Sequence, residues 1–235
     1  MPKQTTLHSF DSLEESWDAL VPECDVKAFF LSHDWQRLWW DSFGEGRELL
    51  LLAFHQASEN VGIAPMQRQD DVISFLGDTD LFDFHDFIIP QGKESSFYPV
   101  LEDYLTTQSW QQLYFPSLSH ASPTLEYLPQ MAERQGWQCL VEQEDVSPTL
   151  TLPVDWDTYL SGLRKKDRHE LRRKFRRLEA ADGFAPKVYT SPEDVGNKLD
   201  AFFDLMRQSR EEKHRFLTPE RESFFREMAV ALAEV

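Results

Sequence analysis

The sequence predicts an α/β fold built on one central, largely antiparallel sheet flanked by helices. Three observations predict it. Glu48–His55, Val61–Arg68 and Val72–Leu76 are short apolar runs joined by short polar connections, the pattern of an antiparallel meander. Stretches with apolar residues at helical spacing lie on both sides of that meander. The 235 residues are 41% apolar and 28% charged, an ordinary globular composition in a chain long enough to bury a core without staples.

Taken in order, Ser12–Leu20 reads as a short helix, with Ser12 as its cap and Glu15 completing a capping box. Ser32 opens a second helix, because Trp35, Leu38, Trp39 and Phe43 recur at helical spacing behind it and Gly44 follows. After the meander, Phe87–Ile89 reads as a further short strand. Ser95–Thr106 reads as a helix with Phe97, Val100, Leu101 and Tyr104 on one face, and Gln112–Phe115 as a strand. Ser122-Pro123 opens a helix that ends near Gly136, and Trp137–Glu142 and Thr149–Leu152 read as closing strands. Residues 1–152 thus form a first domain of mixed α and β content.

The pattern restarts after Pro153. Trp156–Leu163 reads as a short helix, and Arg164–Ala181 as a basic one ended by Asp182-Gly183. A strand follows at Phe184–Tyr189. Ser191-Pro192-Glu193-Asp194 caps a helix over 192–212 whose Leu199, Phe202, Phe203 and Met206 fall at i, i+3, i+4 and i+7. Thr218-Pro219 opens a last helix with Phe224, Phe225, Met228 and Leu232 inward. Residues 153–235 therefore read as a basic helix plus the β-α-α start of a second domain. One strand with amphipathic helices has no sheet of its own, so the expectation is a truncated chain whose last helices expose an apolar face.

Composition excludes several function classes. The longest apolar run, Leu49–Phe54, is far short of the ~20 residues that span a bilayer, so no membrane span is expected. The N-terminus carries no apolar signal segment, which makes the expected location cytoplasmic. Two cysteines, Cys24 and Cys139, rule out a disulfide framework and a cysteine zinc site. Nine glycines make a glycine-rich phosphate loop improbable. The net charge of −17 is uneven: residues 1–150 carry 7 basic and 25 acidic side chains, residues 151–235 carry 17 and 16. Such an acidic chain repels nucleic acid. Within Arg164–Arg177, however, nine basic residues face two acidic ones, so one helix can grip a small anion.

The stretch Tyr159-Leu160-Ser161-Gly162-Leu163-Arg164-Lys165-Lys166-Asp167-Arg168-His169-Glu170-Leu171-Arg172-Arg173 resembles a conserved segment of the CelD/BcsL-type acetyltransferases of bacterial cellulose biosynthesis. Ser32-His33-Asp34-Trp35, Trp39-Trp40, Ile63-Ala64-Pro65-Met66, Phe75-Leu76-Gly77 and Ser209-Arg210-Glu211-Glu212-Lys213 with Phe216-Leu217 are further matching pieces. The resemblance implies two tandem GNAT-like domains, as in the related FemAB peptidyltransferases, with the acyl-CoA site in the second. It implies an acyltransferase that moves an acyl group from acetyl-CoA or another acyl-CoA to an amine or hydroxyl, in polysaccharide or cell-envelope synthesis. Its partners would be a small-molecule, saccharide or peptide acceptor and a synthesis complex. A FemAB-like transferase acting on a cell-wall precursor and a non-catalytic scaffold domain stand as alternatives. The sequence departs from the family at one point. GNAT enzymes hold the pyrophosphate at a Gln/Arg-x-x-Gly-x-Gly/Ala turn opening a helix, and no such turn occurs here. The nearest stretch, Gln67–Asp71, lacks glycine and ends in two acids. No cofactor is therefore expected to bind this chain, and the chain alone is expected to be inactive.

Two constellations remain. Arg164, Arg168, Arg172 and Arg176 form one i+4 row of the basic helix and His169, Arg173 and Arg177 another, flanking a stripe of Leu163, Leu171, Phe175 and Leu178. Lys166, Arg168, Arg172 and Arg173 are the anion-binding candidates, by bidentate arginine contacts. The other reading is a solvated helix docking on the acidic first domain. Asp78, Asp80, Asp83, His85 and Asp86 cluster in one loop, residue types that bind a divalent ion or act as a general base. Interleaved Leu81, Phe82, Phe84 and Phe87 favour a polar loop without metal, anchored by burial, and His85 and Asp86 are the catalytic candidates. His33, His55, His120 and His214 show no ligand spacing. Cys24 and Cys139 lack an adjacent base and read as inert.

Overall fold

The computed structural model describes residues 3–26, 28–56, 59–181 and 183–233. The sheet has five strands in the order of the chain: β1 (Lys3–Leu7), β2 (Glu48–Gln56), β3 (Glu59–Gln69), β4 (Val72–Phe75) and β5 (Gln112–Tyr114). The first four pair antiparallel and β5 joins β4 parallel, so the fold is mixed α/β with a largely antiparallel sheet. Phe87–Ile89 contributes a single bridge, Ile63 to Ile88, in place of a strand.

The apolar run of β2 is continuous because both faces of the sheet are covered. Leu50, Leu52 and Phe54 turn to one face, where they pack with Phe97, Tyr98, Leu101 and Leu105 of α3 (Glu94–Thr107) and Met131 of α4 (Thr124–Gln135). Leu51 and Ala53 turn to the other face, against Phe10, Leu13 and Trp17 of α1 (Phe10–Leu20) and Trp35 and Trp39 of α2 (His33–Phe43). A β-bulge at Phe54/His55 precedes Gly62, whose φ of +154° leaves room for Phe97: a Cβ there would stand 2.7 Å from its ring.

Local capping explains several helix boundaries. Ser32 caps α2, accepting from the Trp35 N–H, and Gly136 ends α4 in the left-handed conformation at φ 69°. For α1 the cap is Ser9, and Ser12 fills the N3 position of the box by accepting from the Ser9 N–H at 3.2 Å. The box expected to open at Ser12 opens one turn earlier because Phe10, buried beside Trp17, draws the first turn into the core.

Residues 1–144 with 191–235 form one compact unit and residues 145–190 another, whereas the sequence places its boundary between 152 and 153. In the first unit, the expected helix over 192–212 is divided into α7 (Pro192–Gly196, capped by Ser191), α8 (Leu199–Ser209) and α9 (Glu211–Phe216); α5 (Trp156–Gly162) and α6 (Lys165–Glu179) belong to the other unit. The last helix, α10 (Pro219–Ala233), does find something to cover. Its Phe224 is fully buried, with its ring centroid 5.4 Å from Trp35 and 5.6 Å from Phe43. Exposed apolar side chains remain on α8, at Phe202 and Leu205, and at Leu232 near the end of α10.

Residues 145–190 hold α5 (Trp156–Gly162), capped by the Asp155 carboxylate, and the basic helix α6 (Lys165–Glu179). The segments Trp137–Glu142, Thr149–Leu152 and Phe184–Tyr189, expected as strands, have no regular secondary structure and no ladder partners. Trp137 packs edge-on against Trp110 at 4.8 Å, but other apolar side chains there are exposed, Leu152 at 77% and Val188 at 87%. A strand exists only through its hydrogen-bonded neighbour, and no described segment supplies one.

Candidate functional site

The meander and the loop after it enclose a cavity of about 350 Å3 in the unit of residues 1–144 and 191–235, within the range of small-molecule pockets. Arg47, Gln67, Gly77, Thr79, His85 and Tyr114 are among the residues around it. Its wall is cross-braced. Arg47 Nη1 donates to Gln67 Oε1 at 3.1 Å, and Gln67 Nε2 donates to the Gly77 carbonyl at 2.8 Å. Trp39 Nε1 donates to Asp78 Oδ2 at 2.9 Å, while Asp78 Oδ1 accepts the N–H groups of Asp80 and Leu81. Asp78 thus builds the loop, and Arg47 also lies 5.4 Å from the Trp39 ring.

His85 is among the residues lining this cavity and is 2% exposed. Its ring is stacked between Phe82, at 4.6 Å and 9°, and Phe75, at 5.7 Å and 2°. The main chain holds it there, with the His85 N–H donating to the Ser117 carbonyl at 3.0 Å. Gly77 has φ +121°, and a Cβ on it would stand 2.7 Å from His85 Nε2, so only glycine lets the loop pass. Neither ring nitrogen has a hydrogen-bond partner. Burial drives the imidazole pKa down to about 3, leaving it neutral.

Asp86, next in sequence, serves a different neighbourhood. Its Oδ1 accepts from Thr124 Oγ1 at 2.6 Å and from the Phe87 N–H at 2.9 Å. Because Thr124 spends its one hydroxyl proton on Asp86, the Tyr98 hydroxyl donates to Thr124 Oγ1 across 2.8 Å. Burial, outweighing these bonds, lifts the Asp86 carboxyl to about 6. The same burial pushes the Tyr98 phenol well up. Extended backbone sends the two neighbouring side chains to opposite sides, so the structure does not bring His85 and Asp86 together. Among the described residues, no three His, Cys, Asp or Glu side chains are grouped to hold a metal ion. Burial raises the Cys24 thiol to about 12, while Cys139 is exposed.

The basic helix α6 is a separate candidate, in the unit of residues 145–190. None of its residues is buried, and the stripe ending in Phe175 and Leu178 is half exposed, with Phe175 meeting Trp156 edge-on at 5.6 Å. Arg173 is committed to Glu170 at 2.7 Å, which also holds the Glu170 carboxyl below its usual range. Arg168 Nη1 donates to the carbonyls of Ser161 (3.1 Å) and Leu160 (3.4 Å) at the end of α5. Lys166 and Arg172 are exposed. Arg168→Ala should therefore loosen the end of α5 by roughly 1 kcal/mol, read as lost amide protection in hydrogen exchange, while Arg172→Ala leaves that protection unchanged. Equal losses in both variants would refute the role given to Arg168.

Gln67–Asp71, the stretch nearest in sequence to a pyrophosphate turn, is the end of β3 and its tight turn into β4, with Asp70 at φ 52°. No helix begins there. The cavity residues missed by the sequence reading, Arg47, Thr79 and Tyr114, carry no common spacing, and only the fold joins them.

Residues 165–235 match the family model of an acetyltransferase (GNAT) domain. The match begins with α6 and runs through α10. GNAT domains generally use acyl-CoA and take small-molecule acceptors, and the match suggests acyl transfer in general. No curated protein and no solved structure matches the chain. Among the described residues, no helix is long and apolar enough to cross a membrane.

Proposed function

We propose that this chain is part of an acyl-CoA-dependent acyltransferase acting on an amine or hydroxyl of a saccharide, peptide or other small acceptor in polysaccharide or cell-envelope synthesis. The family match over residues 165–235 carries the acyl-transfer reading, and the resemblance to the CelD/BcsL-type enzymes supports the acceptor class. In such a transfer a general base takes the acceptor's proton as its nitrogen or oxygen attacks the thioester carbon. Backbone N–H groups hold the oxyanion, and collapse expels the CoA thiolate, which is then protonated. Lys166 and Arg172, exposed on α6, are the side chains proposed to meet a phosphate of donor or acceptor. The glycine turn that holds pyrophosphate in these enzymes has no counterpart among residues 1–235.

The protein purified from its native source should release free thiol from acetyl-CoA or a longer acyl-CoA when amine or hydroxyl acceptors are added. Arg172→Ala should lower that rate roughly tenfold to hundredfold, the loss of one charge-assisted bond. Absence of acceptor-dependent thiol release with every acyl-CoA would overturn the reading. A normal rate in the Arg172→Ala variant would remove α6 from it.

A further inference from the structure

The cavity lined in part by His85 lies outside the segment matched by the acetyltransferase model, and it has one unexplained feature. Every other bracing side chain in its wall is spent on the protein itself. Asp78 accepts from Trp39 and two backbone N–H groups, and Gln67 uses both ends of its amide. His85 alone among these is more than nine-tenths buried with two idle polar atoms. Such a group costs about 1–3 kcal/mol in an apolar site when nothing bonds to it. An apolar ring would fill the gap between Phe75 and Phe82 without that cost, so packing gives no reason for a histidine.

We propose that this cavity is a binding site for a small, uncharged, hydroxyl-bearing molecule of the sugar or polyol class, with the His85 imidazole as its polar anchor. The chemistry follows from the protonation state. A neutral imidazole offers one N–H donor and one lone-pair acceptor. A carboxylate can only accept and an ammonium can only donate, so either leaves one ring nitrogen unmet. Two hydroxyls of one molecule meet both, one accepting from the ring N–H and the other donating to the ring lone pair. The rest of the wall agrees: Arg47 stands against two carboxylates, Asp70 and Asp78, so the lining has no excess positive charge to hold an anion; Thr79 and Tyr114 add hydroxyls, and the half-exposed Tyr114 ring supplies an apolar face for a sugar's C–H groups. This site stands whether or not the chain takes part in acyl transfer, because it is defined by binding and not by turnover.

The test is a titration of the full chain, with histidine ring nitrogens labelled with 15N, against glucose, glycerol, sodium acetate and ethylammonium chloride. Glucose or glycerol should shift both His85 ring signals saturably and settle the ring into one tautomer, and acetate and ethylammonium should not. His85→Phe preserves the three-ring stack and should weaken sugar binding roughly tenfold or more, read at the Gly77 and Thr79 amides. The proposal is overturned if neither hydroxyl compound moves the ring signals of the unaltered chain, if acetate moves them as strongly, or if folded His85→Phe binds sugar unchanged. The unaltered-chain titration decides the matter even if that variant does not fold.

Discussion

Phe224→Ala is expected to lower the stability of the chain by about 3–5 kcal/mol, the usual cost of deleting a fully buried aromatic ring. Phe224 is the anchor of α10. Its ring meets Trp35 edge-on at 5.4 Å and Phe43 at 5.6 Å, in the cluster that also holds Phe10, Trp17 and Phe82. Rigid aromatic rings on α2 cannot collapse into the space it leaves, so the cavity cost adds to the lost transfer energy. Phe202→Ala is the control: at 56% exposure it should change stability by less than ~1 kcal/mol. Urea unfolding followed by tryptophan fluorescence reads both variants. If Phe224→Ala lost no more than Phe202→Ala, α10 would not be part of this core.

The second large effect is on pH dependence, because His85 and Asp86 are buried side by side with opposite consequences. An unfolded chain protonates His85 near 6.5, but the folded one does so only near 3. Stability from this residue is therefore complete above 6.5 and lost as pH falls towards 3, on the order of 4–5 kcal/mol in all. Asp86 runs the other way. The folded chain keeps its proton up to about 6, whereas the unfolded one releases it near 3.8. Stability from Asp86 is therefore lost as pH rises from about 4 to 6, by about 3 kcal/mol. Between those values the two slopes cancel. The groups around Asp86 are the hydroxyls of Ser122 and Thr124, the Phe87 N–H and the Asp25 carboxylate; burial is the cause at His85.

Each single variant should expose the hidden partner. Asp86→Asn keeps the acceptor oxygen for Thr124 and should make stability climb steeply with pH from 3 to 6.5. His85→Phe should make it fall as pH rises from 4 to 6. Urea midpoints across that range test this, and parallel profiles for the two variants would show that the pair does not oppose.

Much of the fold was legible along the chain, because the determining forces are local. Ser32 and Gly44 bound α2, Ser191-Pro192 opens α7, Thr218-Pro219 precedes α10, and the three runs of the meander became β2, β3 and β4 within a few residues. The charge of α6 was equally plain, since helical spacing by itself places its arginines in rows. His85 was legible as a candidate from the density of polar and aromatic residues about it. Its role as a capped, unpartnered ring was not, because Phe75, Phe82 and Gly77 reach it only through the fold.

Strands at 137–142, 149–152 and 184–189 failed for the complementary reason. Their β-like composition is a property of the segment, but a strand is a property of a pair, and no described neighbour completes the ladder. The same limit hid the seat of Phe224. Periodicity shows that a helix has an apolar face, yet only the packed structure shows that this face meets Trp35 and Phe43, some 180 residues earlier. What the sequence determined by itself was what neighbours within a turn or a strand decide: caps, periods, charge rows and the meander. What the tertiary structure alone decided was every relation between distant residues, including the cavity, the idle imidazole and the opposed titrations of His85 and Asp86. Burial and hydrogen-bond partnership are set by which surfaces meet, and no single segment carries that information.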